Sequence, residues 1–286
     1  MRHPILLSLC AAGIFGLAGC EQGINKEEVD RALQDINVVD ETNLNEVMLS
    51  VADADEAVNY FRRASGQQPD RIDLRRGLAQ SLIRAGRPTE AVSAWTRVVE
   101  HEDSTDADKV DLADALIRNN EWERAAERLN EVPPTHETFK RYRLEAMVAD
   151  SKGDWSRADS FYETAIGLTT RPANVMNNWG FSKLSRGDYP GAERLFTEAI
   201  RNDQTLFTAK NNLVLARGAQ KKYALPVVPA TQTERAQLLY TLGLSAAKQG
   251  DTTIAKGLFR DAIETHPQHF EEATRSLRAL ESNVMN

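Results

Sequence analysis

The chain has 286 residues, a formal net charge of −7 and 27% charged residues. This acidic balance argues against nucleic acid as the partner, because binding to phosphates requires a basic face. The composition is ordinary for a helical protein, and the length is ample for a large buried core.

The first 20 residues have the pattern of an export signal. Arg2 and His3 precede an apolar run over residues 5–15, which is too short to span a bilayer as a stable helix. The run leads into Leu17-Ala-Gly-Cys20, which resembles the lipobox of bacterial lipoproteins, where a peptidase cuts before an acylated cysteine. The resemblance predicts that residues 1–19 are removed and that Cys20 carries acyl chains sufficient for stable anchoring. The alternative is an ordinary signal peptide that contains Cys20.

Acidic residues are concentrated directly after the predicted anchor. Residues 21–57 contain two basic and eleven acidic side chains, a net charge of −9. We interpret residues 20–37 as a lipidated tether that anionic headgroups push outward, with a docking segment for a basic partner as the alternative. By resemblance to lipoprotein sorting rules, Glu21 favours the periplasmic face of the outer membrane over the inner membrane. The lipid anchor is the only expected attachment to the membrane.

The rest of the chain is organised by a repeated set of alanines. They are spaced by 34, 34, 33, 34 and then 63 residues: Ala57, Ala91, Ala125, Ala158, Ala192 and Ala255. A large apolar residue follows each alanine by four positions and a small or β-branched residue follows it by seven, which gives one apolar face of a helix. In five copies another small residue precedes the alanine by twelve positions, as Gly180 precedes Ala192.

This spacing resembles the tetratricopeptide repeat, whose period is 34 residues. The resemblance covers roughly residues 38–269 and implies an all-α fold, a right-handed solenoid of helix–turn–helix repeats. The turns within the repeats are rich in Gly, Asn and Asp, which suit left-handed backbone and helix capping. Trp122, Trp155 and Tyr189 occupy one position of successive repeats. We interpret them as plugs of the seam between paired helices rather than as a ligand site.

The period fails after Arg217, where the second helix of copy six is expected. Residues 206–219 have the pattern of a first helix, but Pro226 and Pro229 then interrupt the chain, and residues before proline prefer extended backbone. We therefore assign residues 38–217 to the repeats, 218–234 to an irregular loop, and 235–286 to a final repeat with a capping helix. The seam that the missing helix would cover is either covered by this apolar loop or left open.

No combination of residues supports catalysis. The chain lacks a Ser-His-Asp arrangement with supporting context, a Gly-rich phosphate loop and a cysteine pair. His266 and His269 are three apart, but Pro267 lies between them and no acidic or cysteine partner completes a metal motif. We predict that the protein is not an enzyme and that it uses no metal, no cofactor and no small-molecule substrate.

Resemblance to the repeat family implies a groove lined by the first helix of each pair. The candidates at its groove-facing positions are Lys140 and Arg143 in copy four, Asn174, Asn177, Asn178 and Phe181 in copy five, and Asn211 and Asn212 in copy six. Stacked asparagines can donate to and accept from an extended peptide backbone without dictating its side chains. We expect Asn177, Asn178, Asn211 and Asn212 to form a continuous polar strip. Polar surface without a ligand is the alternative.

The last third of the chain adds a finer resemblance. The run from Leu225 to Tyr240, together with Gln249-Gly-Asp251 and residues 265–271, is similar to the TadD-like lipoproteins of the tight-adherence (Flp) pilus. The similarity implies a protein–protein interaction scaffold for pilus assembly, with pilus assembly proteins as partners and assistance to the outer-membrane secretin. Other lipoproteins stay open as alternatives: a type IV pilotin, the repeat component of the β-barrel assembly machine, or a peptidoglycan hydrolase adaptor.

Overall fold

The computed structural model describes residues 44–282, and every regular element in that range is a helix. The predicted signal peptide, Cys20 and the tether at 20–37 lie outside the described residues. The helices are α1 (44–50), α2 (Ala54–Gln67), α3 (Ile72–Arg84), α4 (Pro88–Val99), α5 (Asp106–Arg118), α6 (Trp122–Asn130), α7 (Phe139–Ser151), α8 (Trp155–Gly167), α9 (Ala173–Ser185), α10 (Tyr189–Asn202), α11 (Phe207–Ala219), α12 (Gln232–Lys248), α13 (Thr252–Thr265) and α14 (Glu271–Ser282).

The alanines of the repeated pattern lie where neighbouring helices meet. All six are completely buried: Ala57, Ala91, Ala125, Ala158, Ala192 and Ala255. The large residues four positions later fill the adjoining space, and Phe61, Tyr162 and Phe196 are among the largest fully buried side chains. From α2 to α14 each helix packs against the next, so the chain stacks in layers that contact their neighbours. The predicted all-α repeat fold is confirmed.

The turns inside the pairs have the predicted backbone chemistry. Asn120 and Gly153 occupy equivalent turns in left-handed backbone, with φ values of 64° and 71°. Glycine adopts this region freely, and asparagine enters it more readily than most residues. In the corresponding turn before α10, Asp188 Oδ1 accepts a hydrogen bond of 3.0 Å from the Gly191 N–H and caps the helix. These turns fix where each second helix begins.

The second helix of copy six is absent, and residues 220–231 connect α11 to α12 without regular structure. Tyr223, Leu225 and Val228 of this connection pack half-buried against the apolar core of the last helices. The Tyr223 hydroxyl also donates a hydrogen bond of 2.6 Å to Asp251 Oδ2. The apolar loop therefore covers the seam, while Val227 projects into solvent.

The helix α14 closes the C-terminal end of the stack. Its Ala273 is completely buried, and Leu277 and Leu280 pack partly buried on the core of the final pair. Between residues 44 and 282, no helix has both the length and the apolar character that crossing a membrane requires.

Candidate binding groove

Three first helices form a groove at the middle of the solenoid. The helices α7, α9 and α11 begin at residues 139, 173 and 207, one period apart, and they bound a pocket of about 540 Å³ together with α6 and α8. The apolar side chains of the lining are Trp122, Met147, Trp155, Tyr162 and Phe181. The polar ones are Asp150, Ser151, Asn177, Asn178, Ser182, Ser185, Thr208 and Asn212. An apolar pocket with a few convergent polar groups is typical of a binding site.

Two asparagines join α9 to α11 at the floor of the groove. Asn212 Nδ2 donates a hydrogen bond of 3.1 Å to Asn177 Oδ1, and both side chains are buried. Each amide keeps one group outside this bond, the Nδ2 of Asn177 and the Oδ1 of Asn212. Asn178 has no hydrogen bond from its side chain within the described residues and is half-buried. The groove therefore offers amide donors and acceptors from two successive repeats.

A carboxylate joins α7 to α9 in the same pocket. Asp150 Oδ1 accepts a hydrogen bond of 2.7 Å from Ser182 Oγ, and Oδ2 accepts one of 2.8 Å from the Tyr162 hydroxyl. Burial raises the pKa of Asp150, against the opposing effect of these two hydrogen bonds. Burial and the adjacent Asp150 charge also raise the pKa of Tyr162, so its hydroxyl stays protonated and acts as the donor.

Outside the lining of the groove, a second carboxylate connects α8 to α9. Asp159 accepts hydrogen bonds from Trp179 Nε1 at 2.6 Å, from Lys183 Nζ at 2.9 Å and from Arg186 Nη2 at 2.5 Å. Burial by itself would raise the pKa of Asp159, but these donors hold it below its usual value. Asp159 is thus a paired carboxylate, in contrast to Asp150.

Aromatic side chains are exposed at the mouth of the groove. Phe181 is 55% exposed and Trp155 is 38% exposed, and the Arg186 guanidinium lies 5.5 Å from the centre of the Trp155 indole. The prediction that Trp155 plugs the seam of its helix pair is wrong, because Tyr162 fills that seam and is 1% exposed. Trp122 is half-buried and also lines the pocket. Exposed aromatic surface of this kind commonly marks an interaction site.

The structure divides the eight residues predicted for the groove into two sets. The four that line the pocket are Asn177, Asn178, Phe181 and Asn212. The four that do not are Lys140, Arg143, Asn174 and Asn211.

The residues of the second set have surroundings other than the pocket. Lys140 pairs with Asp111 and with Asp114 of α5, and the Arg143 guanidinium lies 5.9 Å from the centre of the Phe139 ring.

Asn174 is exposed, and Asn211 Oδ1 accepts a hydrogen bond of 2.8 Å from Thr241 Oγ1 of α12. The expected continuous strip of four asparagines is therefore wrong. Asn177 and Asn212 bond to each other, and Asn211 turns toward α12 instead.

Sequence reasoning missed Asp150 and Ser182. They are 32 residues apart, so their contact does not follow the period of 34 residues. Their signal in the sequence is weak, because a single aspartate near a helix end is usually solvated. Within the described range, no three His, Cys, Asp or Glu side chains come together as metal ligands.

Comparison with known proteins gives repeat matches at both ends of the solenoid. Tetratricopeptide repeat models match residues 49–108 and residues 237–269. A search of curated protein sequences gives no match.

Solved structures resemble most of the chain in fold. A chain of the APC/C hetero-tetramer Cut9-Hcn1 has a TM-score of 0.60 at 11% identity, covering 82% of this chain and 48% of its own. A tetratricopeptide repeat protein from Parabacteroides merdae has a TM-score of 0.55 at 15% identity, covering 84% and 96%. Human IFIT1, solved with PPP-AAAA, has a TM-score of 0.55 at 15% identity, covering 82% and 62%.

The chain thus spans about half the length of the Cut9-Hcn1 chain and under two thirds of IFIT1. At these identities the likeness establishes the fold alone. The buried alanine pattern, the repeat matches and the shared architecture establish that the chain folds as a tetratricopeptide-repeat solenoid. Repeats of this kind are typical of protein–protein interaction scaffolds.

Proposed function

We propose that the protein is a lipid-anchored scaffold of the bacterial envelope that holds an extended segment of a partner protein during assembly of the tight-adherence (Flp) pilus. The observation that carries the binding part is the groove of α7, α9 and α11. It presents amides of Asn177, Asn178 and Asn212 beside the exposed ring of Phe181. Such amides can pair with the backbone of an extended segment, and the apolar wall can take its side chains.

The anchor and the cellular location come from the sequence. The lipobox-like Leu17-Ala-Gly-Cys20 supports lipidation at Cys20, and Glu21 supports retention at the outer membrane on its periplasmic face. The similarity of residues 225–240 to the pilus lipoproteins supports the pilus machine, with its secretin as the partner class. In this arrangement the groove is held at the membrane where a secretin must be assembled.

The groove is tested by Asn178→Ala combined with Phe181→Ala. Both side chains lie in the lining and neither has a hydrogen-bonding partner within the described residues, so helicity should be unchanged. Loss of one polar and one aromatic contact should weaken partner capture by about 2–3 kcal/mol, or thirty- to more than a hundredfold. The measurement is quantitative pull-down of envelope proteins, with piliation scored in the same strains.

The matched control is Ile254→Ala, because Ile254 is 44% exposed on α13 and lies outside the groove. It should capture the same partners as the unchanged chain. Equal capture by the groove variant and the control would remove the groove from the function. Capture of hydrolases or β-barrel assembly proteins in place of pilus proteins would reject the pilus role.

The anchor is tested separately by Cys20→Ser. The variant should take up no radiolabelled palmitate and should leave the membrane fraction, because the acylated sulfur is removed. Palmitate labelling of the variant, or an unmodified residue 20 in the unchanged chain, would reject the lipobox interpretation.

A further inference from the structure

Asp150 is the one charged side chain in the lining of the groove. Its two hydrogen-bond donors, Ser182 and Tyr162, are both neutral. Within residues 44–282, no nitrogen of a lysine, arginine or histidine comes within 4.0 Å of this carboxylate. The negative charge of Asp150 therefore faces the pocket without an ion-pair partner from the described chain.

Other carboxylates between helices are paired with cations. Arg76 Nε lies 2.7 Å from Asp108 Oδ1, and Arg217 Nη1 lies 2.8 Å from Glu193 Oε1. Each of these pairs links two neighbouring helices and neutralises a partly or fully buried charge. Asp150 occupies a similar place between helices but has no such cation.

Two cations that follow the lining residues of α9 in sequence bond to another carboxylate. Arg186 binds Asp159 at 2.5 Å, and its guanidinium lies 5.5 Å from the centre of the Trp155 ring; Lys183 binds Asp159 at 2.9 Å. Neither side chain belongs to the lining of the pocket. The Arg186 charge lowers the pKa of Asp150, and the charge of Arg143, whose Nε is buried without a hydrogen-bond partner, acts on the neighbouring Tyr162. Neither guanidinium makes an ion pair with Asp150, so a direct ion-pair partner is left for a bound segment to supply.

The walls around Asp150 have the chemistry of a cation site. Trp122, Trp155 and Phe181 line the same pocket, and the faces of aromatic rings attract Lys and Arg head groups. The alkyl stems of these residues also pack well on apolar surface while their charged ends reach polar partners. Aromatic walls with a carboxylate between them favour a cation over a neutral or acidic group.

Building on the proposed scaffold function, we propose that the groove binds an extended partner segment through one basic side chain. Its charged head pairs with Asp150, and its stem packs against Trp122, Trp155 and Phe181. The amides of Asn178 and Asn212 then lie beside the backbone of the same segment. The partner is therefore a protein with an exposed, extended and basic segment.

The carboxylate of Asp150 has free acceptor sites for a basic side chain. Each carboxylate oxygen already accepts one hydrogen bond and retains a second acceptor site, so a guanidinium can approach without displacing Ser182 or Tyr162. Burial raises the pKa of Asp150, although the hydrogen bonds from Ser182 and Tyr162 and the charge of Arg186 act in the opposite direction. A bound guanidinium or ammonium would reverse that shift.

The test selects peptides on the immobilised full chain, purified in detergent, from a phage-displayed library of random dodecapeptides. Bound phage are eluted and sequenced, and parallel selections use Asp150→Asn and Phe181→Ala. The unchanged chain should enrich peptides with a recurrent Arg or Lys. For a synthetic copy of the strongest peptide, both Asp150→Asn in the protein and Arg→Gln in the peptide should weaken binding at least tenfold. The two changes together should weaken binding no further than either alone.

Phe181→Ala tests the groove without altering Asp150 or its hydrogen bonds, so it keeps the groove testable if Asp150→Asn fails to fold; Phe181 is 55% exposed. It should also weaken the selected peptide, and the Ile254→Ala control should not. Peptides that depend on Phe181 but show no basic residue would reject the cation site and leave the scaffold groove in place. Peptides that bind Asp150→Asn as well as the unchanged chain would also reject the cation site and leave the scaffold groove in place. Failure to select any peptide that depends on Phe181 would reject both the cation site and the groove.

Discussion

The inner face of the solenoid differs between the stretch from α3 to α7, called the first half below, and the stretch from α7 to α11, called the second half. Between α3 and α7, ion pairs connect the first helices: Arg76 with Asp108, and Lys140 with Asp111. Between α7 and α11, neutral donors make the connections, with Ser182 bonding Asp150 and Asn212 bonding Asn177. The helices are spaced by the same period in both halves. The difference therefore lies in side-chain chemistry and not in the backbone frame.

This contrast indicates how one stretch of a repeat fold can keep polar groups available for binding. An ion pair satisfies both of its own charges, so the side chains of the first half are occupied with one another. The second half keeps an unpaired carboxylate, spare amide groups and exposed rings in one pocket. Four sets of substitutions test whether the two halves share the packing of their buried alanines and differ on the inner face alone.

The largest effect is expected from a charged side chain at one of the buried alanine positions that both halves share. Ala192→Asp puts a carboxylate at a completely buried position between helices, with no cation provided for it. An unpaired buried charge should lower the free energy of unfolding by about 3–5 kcal/mol. Thermal melts followed by circular dichroism measure this loss. The same change at Ala91, also completely buried in the first half, should have an effect of similar size.

A melt of Ala192→Asp that matches the unchanged chain would contradict the repeat register. A large effect at Ala192 with none at Ala91 would show that the two halves do not share one frame. Both outcomes are separable from changes in partner binding, because Ala192 is not part of the groove lining.

The second effect concerns the ion pairs of the first half. Asp108 is buried and accepts hydrogen bonds from Arg76 and from Thr105. Burial alone would raise the pKa of Asp108, but these donors hold it below its usual value. Asp108→Asn should lower the free energy of unfolding by about 2–4 kcal/mol at neutral pH, because Arg76 loses its charged partner. Urea unfolding curves give the value.

The sign of the pH dependence follows from the lowered pKa. The stabilisation by Asp108 is present above the unfolded pKa of about 4 and is lost as the pH falls through the lower folded value. The gap between the unchanged chain and Asp108→Asn should therefore narrow in acid. A gap that stays constant from pH 7 to pH 3 would argue against the ion pair as its source.

A third effect tests how tightly the second half is packed. A Cβ at Gly180 would lie 2.7 Å from the Phe196 ring, which is completely buried and has little room to move. Gly180→Ala should lower the free energy of unfolding by about 1–3 kcal/mol, although alanine is the better helix former. The control is Gly257→Ala in α13, where no atom lies within 4 Å of the added Cβ. The control should instead stabilise by up to about 1 kcal/mol.

The packing of the paired helices could be predicted from the sequence because it depends on the sizes of the side chains. A buried alanine, a large residue four positions later and a small residue twelve positions earlier leave a visible period, and Ala192, Phe196 and Gly180 meet as that period requires. The inner face could not be predicted so well. Its contacts join unlike positions, since Asn177 and Asn212 are 35 residues apart and Asp150 and Ser182 are 32 apart.

Two predictions are wrong because a position in the repeat does not fix what its side chain contacts. Side chains of neighbouring helices interdigitate, so a residue bonds to an offset position of the next repeat and not to its own counterpart. Asn211 turns to Thr241 for this reason, and the expected strip of asparagines is broken. Trp155 has the same repeat position as Trp122 and Tyr189, which the sequence predicts to fill the seams between paired helices. In this pair Tyr162 fills the seam instead. A position within the period gives the helix face but not the bonding partner.

The smallest effect concerns the amide pair of the second half. Asn212→Ala removes the donor to Asn177 Oδ1 and leaves a buried acceptor without its partner, which should cost about 1–2 kcal/mol. Asn177→Ala should cost a similar amount, and the double variant less than the sum, with a coupling of about 1 kcal/mol.

A double-mutant cycle measured by urea unfolding distinguishes a bonded pair from two independent polar groups. Additive losses would mean that each asparagine is solvated separately and would contradict the hydrogen bond between Asn212 and Asn177. A positive coupling would leave Asn178 as the amide free to bond an incoming segment. The same variants should barely change the stability gap produced by Asp108→Asn, because the first and second halves of the inner face share no hydrogen bond between these residues.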